Sequence, residues 1–291
     1  MRELNMKIQH FFHADTNTLT YVVWDETTHD AIVIDSVLDY DPNTSRLATK
    51  SVHEVAAFMR AHDLKLCASL DTHVHADHLS GGQFLRAELN VKAPIVIGSR
   101  VTEVQKTFRP MFGWAPSWPC DGSQFDRLLK DNEVAHFGSI VLTCLSTPGH
   151  TPACCTYVIG DALFVGDTIF APDFGSGRCD FPGGDARALY ASIKRLYTFP
   201  ESTRIFLGHD YPPATRGLLF ETTVGEQKLK NKHVKADTTE EEFVAFRTKR
   251  DAELTMPRLI FQSLNVNLAG GRLPEPEYDG GRVLHIPLLG P

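Results

Sequence analysis

Between Asp71 and His78 the chain reads Asp-Thr-His-Val-His-Ala-Asp-His, so that His73, His75, Asp77 and His78 fall within six residues. Neutral imidazole and carboxylate are natural ligands for zinc and iron, and neither a core nor a surface needs them at this density. The chemistry implied is metal binding, with a merely hydrogen-bonded polar turn as the plain alternative. Three later stretches carry the same residue types. His150 stands in Ser146-Thr147-Pro148-Gly149-His150-Thr151-Pro152, where prolines and a glycine fix the backbone and present the imidazole at a set angle. Asp167 closes the apolar run Leu163-Phe164-Val165-Gly166, and His209, Asp210 and Tyr211 follow Gly208.

Each group needs an element to present it. A buried strand over Leu66 to Asp71 runs into the histidine turn, and an Asn132 to Leu145 hairpin leads to His150. Strands over Cys155 to Ile159 and Ala162 to Gly166, joined at Gly160-Asp161, deliver Asp167; a strand over Arg204 to Leu207 delivers His209. Four strand ends therefore terminate in metal-ligand chemistry, at the carboxyl edge where open α/β sheets place their sites. Around them the pattern predicts an initial hairpin of Leu19 to Trp24 and Ala31 to Asp35, a polar connection over Asp39 to Ser51, and a strand at Pro94 to Gly98. Helical spacing covers Val52 to His62, Gln83 to Leu89 and Ala186 to Tyr197. Phe108 to Pro119, rich in aromatics and prolines, is expected as a structured loop rather than a helix, serving packing or a subunit contact before a lid. A helix over Glu240 to Glu253, capped by Thr238 or Thr239, precedes the segment Arg258 to Leu268.

The net charge of −7 argues against a nucleic-acid surface. No run of about 18 apolar residues exists, and the first ten residues lack a secretory apolar stretch. The expectation is a soluble, cytoplasmic protein. Six cysteines, at 67, 120, 144, 154, 155 and 179, form no CxxC pair; reduced thiols are expected, with no catalytic cysteine indicated. With 42% hydrophobic and 22% charged residues, one large domain can bury a core. The expected plan is residues 1–220 as the catalytic domain and 221–291 as a helical extension packed on it.

The ordered motifs THVHADH, PGHT, GDT and GHDY resemble the metallo-β-lactamase superfamily, and the resemblance implies an α/β fold: an αβ/βα sandwich of two mixed sheets flanked by helices. Within it the chain is most similar to the persulfide dioxygenases, on Gly177-Arg178-Cys179-Asp180-Phe181, GHDY and the late EEFVAF segment. That likeness implies one Fe(II) per subunit held by His73, His150 and Asp167, two histidines and a carboxylate leaving positions open for substrate. It implies glutathione persulfide and O2 as substrates, sulfite and glutathione as products, and a homo-oligomer, dimer or tetramer. His75, Asp77, His78, His209 and Asp210 would orient or brace the ligands. Arg178 would bind a glutathione carboxylate, or else form an ion pair with Asp180 or Asp185; Tyr211 would donate its hydroxyl to substrate. Residues 108–132 look like an insertion that reshapes the site mouth or builds an oligomer contact.

The second reading is a hydrolase resembling glyoxalase II. It would place His73, His75, His150 and Asp167 on one zinc and Asp77, His78, Asp167 and His209 on another, about 3.5 Å away, for attack of hydroxide on a thioester.

Overall fold

The computed structural model describes residues 5–277 and 280–288. The chain opens with β1 (Met6–His13), β2 (Thr18–Asp25) and β3 (Asp30–Ile34), then β4 (Val37–Asp41), β5 (Arg46–Ala48), α1 (Lys50–Ala61) and β6 (Lys65–Leu70). Past the histidine turn come β7 (Leu79–Ser80), α2 (Gly82–Glu88), β8 (Ile95–Gly98), α3 (Val101–Met111) and β9 (Arg127–Leu129). The second half runs β10 (Glu133–Phe137), β11 (Ile140–Ser146), β12 (Cys155–Ile159), β13 (Ala162–Phe164), α4 (Ala186–Leu196), β14 (Arg204–Phe206) and β15 (Glu221–Thr223). It closes with α5 (Val224–Lys230), α6 (Glu240–Asp251) and α7 (Ile260–Asn267).

Two six-stranded mixed sheets result, in the orders β1-β2-β3-β6-β8-β9 and β10-β11-β12-β13-β14-β15, and β5-β4-β7 form a small third sheet. The large sheets face each other across one core. Tyr21 on the first sheet packs edge-on against Phe164 and Phe206 of the second, each at 5.4 Å between ring centroids, and its hydroxyl donates to the Leu207 carbonyl at 2.7 Å. Such aromatic pairs contribute about 0.5–1.5 kcal/mol each beyond their buried area, and the buried hydroxyl is satisfied. This is the expected sandwich of two mixed sheets flanked by helices.

Two expectations need correction. Phe108 to Met111 are not loop but the last turn of α3, with Pro110 inside it. Pro110, one residue before the helix ends at Met111, removes one N–H from the ladder, and the turn is held by the face that buries Val101, Val104 and Phe108. The Asp39 to Ser51 connection is partly paired, because Asp39 to Asp41 register against Arg46 to Ala48. Thr239, not Thr238, caps α6, exchanging hydrogen bonds with Glu242 in a capping box.

Candidate metal centre

All four predicted groups converge. His73 follows β6, His150 follows β11, Asp167 follows β13 and His209 follows β14, so the two sheets meet with their ligand-bearing ends together. The histidine turn is joined to the second sheet by Cys155 N–H donating to the Thr72 carbonyl at 2.9 Å, and by the Tyr157 hydroxyl donating to the Asp71 carbonyl at 2.8 Å. Glycines permit the close approach. A Cβ on Gly166, whose φ is +50°, would lie 2.3 Å from the Thr72 hydroxyl, and one on Gly177 would lie 2.0 Å from the Asp167 carbonyl.

Each imidazole has one nitrogen fixed by an acceptor. His73 Nδ1–H donates to the Thr72 hydroxyl at 3.1 Å, His75 Nε2–H to Asp35 at 3.0 Å and His78 Nδ1–H to Asp77 at 3.1 Å. His150 Nδ1–H donates to the Arg178 carbonyl at 2.7 Å and His209 Nδ1–H to the Asn17 carbonyl at 3.1 Å. This is how protein groups outside a metal site set the tautomer of its ligands. His73 Nε2, His75 Nδ1, His78 Nε2 and Asp167 Oδ1 are buried without any hydrogen-bond partner. Buried polar atoms left unpaired are costly, and four of them at one place fit a bound cation.

Ligand atoms of His73, His150 and Asp167 all lie within 4.8 Å of one another, and His75, Asp77 and His78 form a second such group. Asp167 Oδ2 is 3.6 Å from His150 Nε2 and 4.0 Å from His73 Nε2, while its Oδ1 is 3.3 Å from His209 Nε2. Burial, and then the neighbouring imidazoles, hold His73 and His75 well below the usual histidine range, in the neutral form that ligates. His209 is the exception: burial pulls it down, but the Asp167 and Asp77 carboxylates outweigh that and raise it.

The remaining predicted residues behave differently. Asp210 does not face the ligands; it grips Arg216 with both oxygens at 2.7 Å and accepts Leu219 N–H at 2.6 Å. Arg178 turns its fork to Asp180, with Nε and Nη2 each at 2.5 Å, and gives Nη1 to the Thr255 carbonyl at 2.8 Å. It still borders the cavities around the site. Tyr211, 37% exposed, stacks on Phe174 at 4.5 Å and borders two of these cavities. Residues that carried no motif also belong to the site. Asp35, at the end of β3, anchors His75 and Thr72. Asn267 of α7 donates to the carbonyls of His75 and His78, each at 2.8 Å, and accepts Ser80 N–H at 2.7 Å. Lys232 and Arg250 line a cavity of about 250 Å³ that reaches Asp167. Asp35 was visible as one more carboxylate at a strand end; Asn267 gave no signal.

A family profile of the metallo-beta-lactamase superfamily matches residues 14–209, which include His73, His75, Asp77, His78, His150, Asp167 and His209. The chain belongs to the metallo-β-lactamase superfamily. It is 45% identical to a probable metallo-hydrolase of Burkholderia pseudomallei, over 97% of this chain and 99% of that one. To Glyoxylase B2 of Dictyostelium discoideum it is 43% identical, over 97% of each chain. To the human mitochondrial persulfide dioxygenase ETHE1 it is 30% identical, over 70% of this chain and 68% of that one. The crystal structure of ETHE1 from Myxococcus xanthus superposes with a TM-score of 0.71 at 29% identity, covering 91% of this chain and all of that one. No helix among the described residues is long and apolar enough to cross a membrane.

Proposed function

We propose that this protein is a non-haem iron dioxygenase that oxidises glutathione persulfide with O2 to sulfite and glutathione in the cytoplasm. The observation that carries the reading is the compact group of His73, His150 and Asp167, two imidazoles and one carboxylate within 4.8 Å, which matches the ligand set of Fe(II) oxygenases. The likeness to the two ETHE1 proteins supports it. Iron(II) held by these three residues supplies the electron path from persulfide sulfur to dioxygen.

The chain's own residues do the rest. Asp35 and Thr72 fix His73, the Arg178 carbonyl fixes His150, and buried Phe170 covers the His209 edge with ring centroids 6.0 Å apart. The groove bordered by Tyr211, Lys232 and Arg250 offers cations to a substrate that carries carboxylates, with its sulfur end toward Asp167. Hydrolysis of the oxidised sulfur consumes water and releases a proton. A hydrogen-bonded chain leads away from the site: Thr18 donates to Asp77 at 3.1 Å, Thr16 lies 2.7 Å from Thr18, and His13 Nδ1 lies 2.7 Å from Thr16.

A second reading, a dinuclear zinc thioester hydrolase, is favoured by the second ligand group His75, Asp77 and His78 and by the likeness to Glyoxylase B2. The two readings separate when iron-loaded and zinc-loaded protein are each assayed with glutathione persulfide and with a glutathione thioester. The dioxygenase reading requires turnover of persulfide by the iron form; thioester cleavage by the zinc form alone would replace it.

A further inference from the structure

The aromatic end of α3 has a place beside the metal centre. Phe108 and Met111 meet Met256, Ile260 and Phe261 around a cavity of about 130 Å³ that Phe181 and His150 also line. Phe108, Phe181 and Ile260 are buried while Met256 is 53% exposed, so the chamber spans from the surface to a candidate iron ligand. The Phe181 ring lies 6.0 Å from that of His150, whose Nδ1 is tied to the Arg178 carbonyl, so the imidazole holds still against a carbon wall.

The Arg178–Asp180 pair borders this chamber, and Arg178 also borders the two larger cavities of about 270 and 250 Å³, which hold Asp77, His209, Tyr211, Lys232 and Arg250. The approach to the site is thus divided into a polar side and a small apolar one. Cavities that enclose drug-sized ligands measure about 300–1,000 Å³, whereas an apolar cavity of about 150 Å³ stays dry and takes up xenon or benzene. At about 130 Å³ the chamber is too small for a tripeptide and suits a small apolar molecule.

We propose that this chamber is a dioxygen port. It gathers O2 from solvent at Met256 and delivers it past Phe181 to the His73, His150 and Asp167 group, while the persulfide enters from the polar side. The inference rests on the dioxygenase reading, which makes O2 the one apolar substrate.

The test fills the chamber from two positions, Met256→Trp at its exposed end and Met111→Trp in its wall, and reads kinetics and gas binding together. The port predicts that KM for O2 rises about fivefold or more in both variants while KM for glutathione persulfide and iron per chain stay unchanged. It also predicts a xenon atom in the chamber of pressurised wild-type crystals, displaced in both variants. An unchanged KM for O2, no xenon, or a rise in KM for persulfide alone would overturn it, the last marking a subsite for substrate. If iron-loaded wild type consumes no O2, the dioxygenase reading fails and the port with it; xenon occupancy then still reports whether the chamber takes up apolar gas.

Discussion

Asp35 accepts both the backbone N–H of Thr72, at 2.7 Å, and its hydroxyl, at 2.8 Å, and that hydroxyl in turn accepts the Nδ1–H of His73 at 3.1 Å. Asp35 also takes His75 Nε2–H, so one buried carboxylate aims two imidazoles. Asp35→Asn puts an N–H donor where acceptors are needed and is expected to weaken iron binding by about 10- to 100-fold, as losses of such supporting groups do. A competition titration with a chelator measures this; unchanged affinity would show that Asp35 has no part in aiming the ligands.

The single-iron arrangement separates the histidines. His150→Ala and Asp167→Ala should lose iron and turnover together, whereas His75→Ala should retain one iron per chain. Metal analysis of the purified variants decides it. Loss of all metal in His75→Ala, as complete as in His73→Ala, would favour two metals.

Asn267 ties the C-terminal helix to the histidine turn through three hydrogen bonds to buried backbone groups. In Asn267→Ala these groups lose their partner, and an unsatisfied buried group costs about 1–3 kcal/mol. The variant should lose about 3 kcal/mol of stability and bind metal less tightly. Urea unfolding of the metal-free form, followed by metal titration, separates the two effects.

His233 is held down to about 3, by burial first and then by Arg247, Lys232 and Arg250, and its Nδ1 accepts Ser176 N–H at 3.1 Å. Its unfolded value is about 6.5, so the unfolded chain binds the extra proton first as pH falls. The stability His233 contributes is complete above about 6.5 and is lost progressively toward about 3. The ring is part-exposed and solvent screens it, which leaves about 1 kcal/mol of pH-dependent stability. Denaturant unfolding at pH 7 and 4.5 should show wild type losing about that much more than His233→Gln; equal losses would remove His233 as the cause.

The convergence of the cluster was legible because residue type and strand ends mark it: His73, His150, Asp167 and His209 each follow a recognisable apolar strand. The sandwich followed from those strands and their order. What escaped were roles carried by geometry alone. Pro110 hid the last turn of α3, because a breaker is read locally while the buried face of Val101, Val104 and Phe108 that outweighs it is set by tertiary packing. Asn267 lies 189 residues from His78, and no local pattern predicts a hydrogen bond across that separation. The sequence leaves Arg178 open between substrate and ion pair; which carboxylate its fork meets depends on a loop conformation that periodicity does not encode.

Oxidation of a persulfide at a single iron is tested by oxygen uptake and sulfite formation measured in one vessel. Anaerobically purified, Fe(II)-loaded protein receives glutathione persulfide and a known amount of O2. A single-iron dioxygenase forms one sulfite for each O2 consumed, with one iron per chain. Thioester cleavage by zinc-loaded protein, with no oxygen uptake by the iron form, would contradict it.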